Sequence, residues 1–158
     1  MSEIVVRQAA AADEKFLREV YFSTRVDEVS AFGWDPAQQA AFLDMQFRVR
    51  QQAYKIQYPD ADYSIIVFGG NEAGSLIVDR SDNSICLTDV AVLPQFRGNG
   101  IATYLIGQLQ SEAAASSRSL LLQVDKTNVA ARRLYEKLNF VVSVEGQLDD
   151  EMEWRAGT

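Results

Sequence analysis

The sequence predicts one α/β domain with a mixed sheet. Three short runs rich in β-branched and aromatic residues follow one another through the middle of the chain, and the turns between them favour antiparallel neighbours. The last third alternates strand, helix and strand patterns, which indicates a parallel crossover. The chain has 158 residues, 47% of them hydrophobic, which is enough for a buried core. We find no repeat, linker or low-complexity segment, so we predict a single domain over residues 1–158.

The first predicted elements are a strand and a helix. Residues 4–7 form a β-rich run, and apolar residues recur at helical spacing from Asp13 to about Val29. Because aspartate side chains accept hydrogen bonds from free helix amides, we expect Asp13 to be the N-cap of this helix.

A second predicted helix begins at Pro36. Asp35 supplies a side-chain cap, and Pro36 has the φ that the first helical position requires. We expect this helix to run towards Tyr54 and to end at the Tyr58-Pro59-Asp60 segment. One face of it is formed by Phe42, Met45, Gln46 and Val49.

Strands and helices alternate through the rest of the chain. We predict strands over residues 63–68, 73–78 and 85–93, a helix after Pro94, a strand over 120–124, a helix over 128–138, and strands over 141–144 and 151–154. The side of the helix after Pro94 that we expect to be buried comprises Ile101, Leu105, Ile106 and Leu109. The predicted order is therefore β-α-α-β-β-β-α-β-α-β-β.

Composition excludes several classes of function. The chain has 22 acidic and 15 basic side chains and a net charge of -7, whereas phosphate contacts with nucleic acid need a basic surface. It has no histidine and one cysteine, Cys86, which excludes disulfide scaffolds, the usual zinc sites and histidine-based triads. Its apolar runs are shorter than the roughly 20 residues that cross a bilayer. We expect a cytoplasmic protein without metal, membrane or nucleic-acid partners.

The most informative segment is the turn that follows Pro94. Gly98 and Gly100 stand directly before a helix, whose first amides have no intrahelical partners and favour an anion. Glycine has no Cβ to block a phosphate, and Arg97 adds positive charge. The segment therefore predicts an anion site that is neither a P-loop nor the three-glycine dinucleotide motif. The alternative is a turn whose glycines serve backbone geometry alone.

Two blocks of the sequence resemble the GNAT acetyltransferase superfamily. The pattern Gln95-x-x-Gly98-x-Gly100, preceded by residues 90–94, resembles the coenzyme A signature of that family. Residues 128–140 resemble its Asn-x-x-Ala-x-x-x-Tyr-x-x-x-Gly-Phe segment, at the expected distance downstream. Asn139 stands where the family commonly has glycine, and asparagine tolerates a left-handed φ better than most residues. The resemblance implies a GNAT-like, mostly antiparallel twisted sheet flanked by helices.

The resemblance also implies acetyl-CoA as co-substrate. The amides of residues 97–101 would hold the pyrophosphate, residues 89–92 would pair with the pantetheine arm like an added strand, and Asn128 and Tyr135 would flank the thioester. The implied cofactor-binding residues are Val90, Ala91, Val92, Gln95, Phe96, Arg97, Gly98, Asn99, Gly100, Ile101, Ala102, Asn128, Ala131 and Tyr135.

Acetylation of a primary amine by direct transfer in a ternary complex needs a neutral amine and a proton for the leaving thiolate. Tyr135 is the candidate proton donor, since a phenol with a pKa of about 10 is protonated at pH 7; core packing is its alternative. Asp89 interrupts an apolar strand and is the candidate base, with a structural hydrogen bond as its alternative. Gln123 stands where some relatives have a catalytic glutamate. Either Asp89 or water therefore serves as the base, or the chain is a non-catalytic acyl-CoA-binding module.

The first two helices and their link would build the acceptor pocket, as they do in this family. Phe32 and Trp34 in the link, with Gln46 on the second helix, are the candidate substrate residues, and ordinary packing is their alternative. They indicate a small-molecule or peptide amine with some apolar character. The family often forms dimers through its final strands, so a homodimer is a further expectation.

Overall fold

The structure is a computed structural model of the chain in which residues 2–157 are described. These residues form β1 (Ile4–Gln8), α1 (Glu14–Ser30), α2 (Pro36–Gln57), β2 (Asp62–Phe68), β3 (Asn71–Arg80), β4 (Ser84–Val92), α3 (Ile101–Ala115), β5 (Ser119–Asp125), α4 (Val129–Lys137), β6 (Val141–Glu145) and β7 (Asp149–Trp154). This is the predicted order of elements, with boundaries that differ by a few residues.

The strands form one sheet in the order β1-β2-β3-β4-β5-β7-β6. The β1/β2, β5/β7 and β6/β7 pairs are antiparallel, and β4 and β5 are parallel, as the crossover through α3 predicts. The predicted fold class, a mixed and mostly antiparallel sheet flanked by helices, is confirmed.

The contacts within the chain define two compact units. Unit 1 comprises the residues up to Leu76 together with Ala91–Asn99, and unit 2 comprises Ile77–Val90 and the residues from Gly100 onward. The single domain predicted from the sequence stays a prediction.

In unit 1, α1 and α2 pack through a small apolar cluster. Tyr21 and Val29 of α1 are buried with Leu43 and Phe47 of α2, and the Tyr21 and Phe47 ring centroids are 5.7 Å apart. The start of α2 is as predicted, since the Gln38 amide donates to Asp35 Oδ1 at 2.8 Å.

The face of α2 named from its spacing is only partly packed: Phe42 lies against this apolar cluster, and other members of the face are exposed. Met45 and Val49 are 54% and 60% exposed, whereas Leu43 and Phe47 are each 2% exposed. The helix carries apolar side chains on two stripes. The stripe against which α1 packs is the one that becomes buried. Spacing within α2 alone does not contain that information.

Asp13 is not the side-chain cap of α1. Its carboxylate accepts from the Arg7 guanidinium at 2.8 and 2.9 Å and from the Ala10 amide at 2.7 Å, and makes no capping bond to the helix. The bonds from Arg7 and Ala10 lower the pKa of Asp13 to about 2. The predicted capping role of Asp13 is therefore wrong. Its carboxylate instead binds Arg7, which lies on β1 and outside the helix.

Unit 2 has its core between α3 and the strands β4, β5 and β7. The predicted buried side of α3 is confirmed, with Ile101, Leu105, Ile106 and Leu109 all at most 6% exposed.

A charged group also lies within this unit. Asp150 is 2% exposed, and its carboxylate accepts from Lys126 Nζ at 2.6 Å and Arg132 Nη1 at 2.8 Å. These bonds lower the pKa of Asp150 to about 2.

We expect the free energy of unfolding to fall as the pH drops from about 4 towards about 2. Asp13 and Asp150 have pKa values of about 2 when folded and near 4 when unfolded, so the unfolded chain binds protons first as acid is added. Their stabilisation is complete above the unfolded pKa and is lost as the pH falls through the folded one. Urea unfolding at a series of pH values measures this slope.

The matched variants are Asp150→Asn and Asp149→Asn. Asp150→Asn should be less stable than wild type near neutral pH and should lose less stability between pH 4 and 2, because one shifted carboxyl is gone. The exposed neighbour Asp149 is the control, and its variant should keep the wild-type slope. Equal slopes for wild type and Asp150→Asn would contradict the assignment.

Candidate functional site

The turn between β4 and α3 has the geometry that the sequence predicts. Gly98 and Gly100 have φ of +81° and +72°, and Gly100 is the N-cap of α3. A Cβ built on either glycine would meet no atom within 4 Å. The backbone is thus left-handed and borders open space beside a helix N-terminus, where amides are available to an anion.

Two side chains stabilise the turn by hydrogen bonds to nearby backbone carbonyl oxygens. Arg97 Nε donates to the Val92 carbonyl oxygen at 3.0 Å, and Asn99 Nδ2 donates to the Phe96 carbonyl oxygen at 2.9 Å. The side chain of Arg97 therefore anchors the turn to the end of β4 and still places a positive charge there.

The pairing of β4 with β5 ends partway along both strands. It joins Ser84–Leu87 to Ser119–Leu122, while β4 continues to Val92 and β5 to Asp125. Beyond Leu87 and Leu122 the two parallel strands no longer match residue by residue. The β4 backbone from Asp89 onward therefore lies beyond the β5 ladder, as it must if a ligand is to pair with it.

Gly74 of β3 brings two strand backbones close together, and sequence reasoning missed it. A Cβ on Gly74 would lie 2.1 Å from the Ala91 carbonyl oxygen. The available signal was a glycine inside a strand pattern, which marks a close backbone approach.

We expect Gly74→Ala to destabilise the chain by about 1–3 kcal/mol, because β3 and the Ala91 carbonyl must move apart. Denaturant unfolding measures the effect. The control is Gly107→Ala in α3, where an added Cβ meets nothing within 4 Å and should stabilise the helix slightly. A Gly74→Ala protein as stable as wild type would show that the strands can separate without cost.

The negative charge of Asp89 on β4 acts on the Tyr135 phenol of α4. The Tyr135 residue is 9% exposed, and its ring packs on Phe140 with centroids 5.9 Å apart. Burial raises the pKa of Tyr135, and the negative charge of Asp89 raises it further. The structure therefore places the two predicted catalytic residues within electrostatic reach of one another, with the phenol held in its protonated form.

The two asparagines that flank α4, Asn128 and Asn139, shape the ends of this helix. Asn128 Oδ1 accepts from the Ala131 amide at 3.1 Å and caps the helix, which occupies that oxygen. Asn139 has φ of +71°, the left-handed conformation that the family's glycine would adopt. The prediction that asparagine can replace glycine in this turn is confirmed. The Phe140 amide, directly after the turn, donates a hydrogen bond to the Tyr135 carbonyl oxygen at 3.0 Å.

A model of the acetyltransferase (GNAT) family matches residues 19–140. The chain belongs to the GNAT acetyltransferase family. No curated protein sequence matches it. The family model includes both blocks on which the resemblance rests and most of the two N-terminal helices.

Solved structures share this GNAT fold at low sequence identity. PaiA N-acetyltransferase from Thermoplasma acidophilum, in complex with coenzyme A, is 16% identical with a TM-score of 0.70, covering 97% of this chain and 99% of that one. Ard1 from Thermoplasma volcanium is 18% identical with a TM-score of 0.62, covering 96% of each chain. Campylobacter jejuni N-acetyltransferase PseH, in complex with acetyl coenzyme A, is 14% identical with a TM-score of 0.61, covering 98% and 100%.

The predicted acceptor residues of this GNAT protein lie in unit 1. Phe32 and Trp34 are 56% and 38% exposed, and with Phe42 they form three edge-on ring contacts with centroids 5.1 to 6.4 Å apart. Gln46 lies one turn beyond Phe42 on α2 and is half-buried. Phe32 and Trp34 thus form an exposed aromatic surface, and their part in substrate binding stays a prediction.

Two further residues singled out in the sequence, Cys86 and Gln123, lie on neighbouring strands of the sheet. Burial raises the pKa of the Cys86 thiol, which favours its protonated form. Gln123 is exposed on β5.

Within residues 2–157, no helix is both long and apolar enough to cross a membrane, and no group of three potential metal-ligating side chains is found.

Proposed function

We propose that this GNAT protein transfers an acetyl group from acetyl-CoA to a primary amine, by direct attack within a ternary complex. The observation that carries the proposal is the turn at Gly98 and Gly100, whose left-handed glycines border open space at the N-terminus of α3. Such a site suits a pyrophosphate. Structural neighbours that contain coenzyme A or acetyl-CoA support the same cofactor.

The cofactor would lie along the end of β4 and the turn. The amides of residues 97–101 would bind the pyrophosphate, and the stretch of β4 from Asp89 to Val92, which lies beyond the matched register with β5, would hydrogen-bond the pantetheine arm. The acyl thioester would then lie where β4 and β5 part, beside Tyr135. The proposed chemistry needs no metal ion.

The proposed reaction is a nucleophilic acyl substitution. The acceptor's ammonium first loses a proton to Asp89, directly or through water, because only the neutral amine attacks. The carbon–nitrogen bond forms, the carbon–sulfur bond breaks, and Tyr135 gives its proton to the thiolate. The nitrogen's second proton restores Tyr135 through solvent, so one proton is released overall.

The acceptor would be a small-molecule or peptide amine with an apolar portion. Phe32, Trp34 and Gln46 are the residues of unit 1 that we propose to contact it, since an exposed aromatic surface suits an apolar group. The acceptor's identity is to be found with a panel of amines.

Thermal unfolding with acetyl-CoA, CoA, ATP and NAD tests the cofactor. A ligand at about 100 times its dissociation constant adds roughly 2.7 kcal/mol of stability, which shifts the midpoint by several degrees. Stabilisation by the CoA compounds alone is the expected result. No shift with any of them would overturn the proposal.

A second candidate function is a non-catalytic acyl-CoA-binding module. The exposed Gln123 favours it, because an amide stands where some relatives of the family have a catalytic glutamate. Release of free thiol separates the two, since an enzyme liberates CoA in the presence of a suitable amine and a binding module does not.

A further inference from the structure

Phe96 lies in the turn between β4 and α3, just before the two glycines of that turn. Residues Pro94–Phe96 form one turn of 3-10 helix, and the Phe96 amide donates to the Leu93 carbonyl oxygen at 3.0 Å. The Phe96 carbonyl oxygen accepts from Asn99 Nδ2 at 2.9 Å. Both backbone polar groups of Phe96 are therefore bonded within the turn, which leaves its ring to contact other parts of the chain.

The Phe96 ring packs on Phe68, the last residue of β2. The two ring centroids are 6.3 Å apart and the ring planes are inclined at 77°, an edge-to-face arrangement that is favourable for aromatic pairs. Both residues are half-buried. Through this ring pair, β2 is in direct contact with the glycine turn.

β3 gives the turn a second attachment. The Leu93 amide, directly after the end of β4, donates to the Ala73 carbonyl oxygen at 2.8 Å. The close approach of Gly74 to Ala91 lies one residue further along β3. β2 and β3 are neighbours in the sheet and are joined by the Gly69-Gly70 turn, so both attachments come from one hairpin of unit 1.

The residues that follow Phe96 need such an attachment. Gly98 and Gly100 have positive φ, and glycine loses more conformational entropy than any other residue when its backbone is ordered. A binding site that has to be ordered at the moment of binding loses affinity, whereas a site held in place beforehand retains it. The ring pair lies two residues before Gly98, so it restrains the turn beside its most flexible part.

We infer that Phe68 is a positioning residue for the cofactor: by packing on Phe96 it holds the glycine turn in the conformation that binds the pyrophosphate of acetyl-CoA. The inference rests on the proposed function, because a pyrophosphate at this turn is part of that proposal. Phe68 acts through Phe96 and has no role of its own in the chemistry. Its substitution should therefore weaken cofactor binding and leave proton transfer at Tyr135 intact.

The first test measures the conformation of the turn and needs no ligand. Amide hydrogen exchange of residues 94–100, followed by mass spectrometry, reports how often this segment opens. Exchange should be faster in Phe68→Ala than in wild type. Phe22→Ala is the matched control, because Phe22 is also half-buried in unit 1 but packs against the α1/α2 cluster, and it should leave the exchange of the turn unchanged. Equal exchange in Phe68→Ala and wild type would overturn the inference.

The second test measures the affinity for acetyl-CoA by calorimetric titration. Phe68→Ala should raise the dissociation constant about threefold to tenfold, the contribution expected from an aromatic pair. Phe68→Tyr keeps a ring at this position and should restore most of the affinity, and Phe22→Ala should bind as wild type does. Wild-type affinity in Phe68→Ala would contradict the positioning role.

A double-variant cycle shows whether Phe68 acts through Phe96. Phe96→Ala removes the same ring pair and should weaken acetyl-CoA binding at least as much as Phe68→Ala does. Adding Phe68→Ala to Phe96→Ala should then have little further effect, because substitutions at contacting residues are not additive. Additive losses would mean that Phe68 does not act through this ring pair. Phe68→Leu, which keeps an apolar side chain without a ring, takes the place of Phe68→Ala in every test if the alanine variant does not fold.

Kinetics separate this inference from the proposed function. With an amine that releases thiol, Phe68→Ala should raise KM for acetyl-CoA about threefold to tenfold and leave kcat at saturating acetyl-CoA unchanged. A lower kcat at an unchanged KM would contradict the positioning role. A wild-type protein that acetyl-CoA does not stabilise would refute the proposed function, whatever hydrogen exchange shows. A protein that binds acetyl-CoA equally well with and without the Phe68 ring would refute only the role of Phe68.

Discussion

Gly100→Val is expected to weaken acetyl-CoA binding by at least about a hundredfold, or ~2.8 kcal/mol, while the chain remains folded. A valine side chain would fill the open space in front of the turn. Its β-branched side chain would also resist the φ of +72°, at a cost of roughly 1–2 kcal/mol. Calorimetric titration with acetyl-CoA measures the affinity, and thermal unfolding without ligand measures the stability.

Gly70→Val is the matched control for this substitution. Gly70 has φ of +83° in the turn between β2 and β3, and a Cβ there also meets nothing within 4 Å. The two variants should lose similar stability, since both place valine in the left-handed region in open space. Only the variant at Gly100 should lose the cofactor. Unchanged affinity in Gly100→Val would remove the turn from the cofactor site.

Tyr135→Phe is expected to lower turnover by about 10²- to 10⁴-fold, the usual contribution of a positioned proton donor, with little change in acetyl-CoA affinity. Phenylalanine keeps the ring that packs on Phe140 and removes the proton that the thiolate needs. Thiol release at saturating acetyl-CoA measures turnover, and calorimetry measures the affinity.

The pH profile gives the Tyr135 prediction a second readout. A proton donor is active while protonated, and burial with the Asp89 charge raises the pKa of Tyr135 above its usual value of about 10. Wild-type turnover should therefore show no alkaline loss from this group below about pH 10. Tyr104→Phe removes an exposed hydroxyl that bonds Gln108 and should retain turnover. Normal turnover in Tyr135→Phe would exclude Tyr135 from the mechanism.

Local patterns in the sequence were enough for much of the fold. The order of elements, the Asp35 cap of α2, the buried side of α3 and the left-handed Asn139 follow from interactions within one or two turns of chain. The glycine turn before α3 was predictable for the same reason, since an exposed helix N-terminus and two flexible residues are adjacent in the sequence.

Contacts between distant segments were not predictable in this way. The stripe of α2 that is buried depends on α1, and the partner of Asp13 is Arg7 on β1. Gly74 matters because its strand passes close to Ala91, which lies 17 positions further along the chain.

The sequence by itself determined the family, the order of elements and the position of the glycine turn before α3, because each depends on neighbouring residues. Only the tertiary structure decided which carboxylate acts on Tyr135 and which residues face one another across the sheet. Asp89 acts on Tyr135 across strand and helix, and Glu151 lies opposite Gln123 because β7 pairs with β5 in one register. Strand register is set by side-chain packing over the whole sheet face, and a single strand's pattern does not specify it.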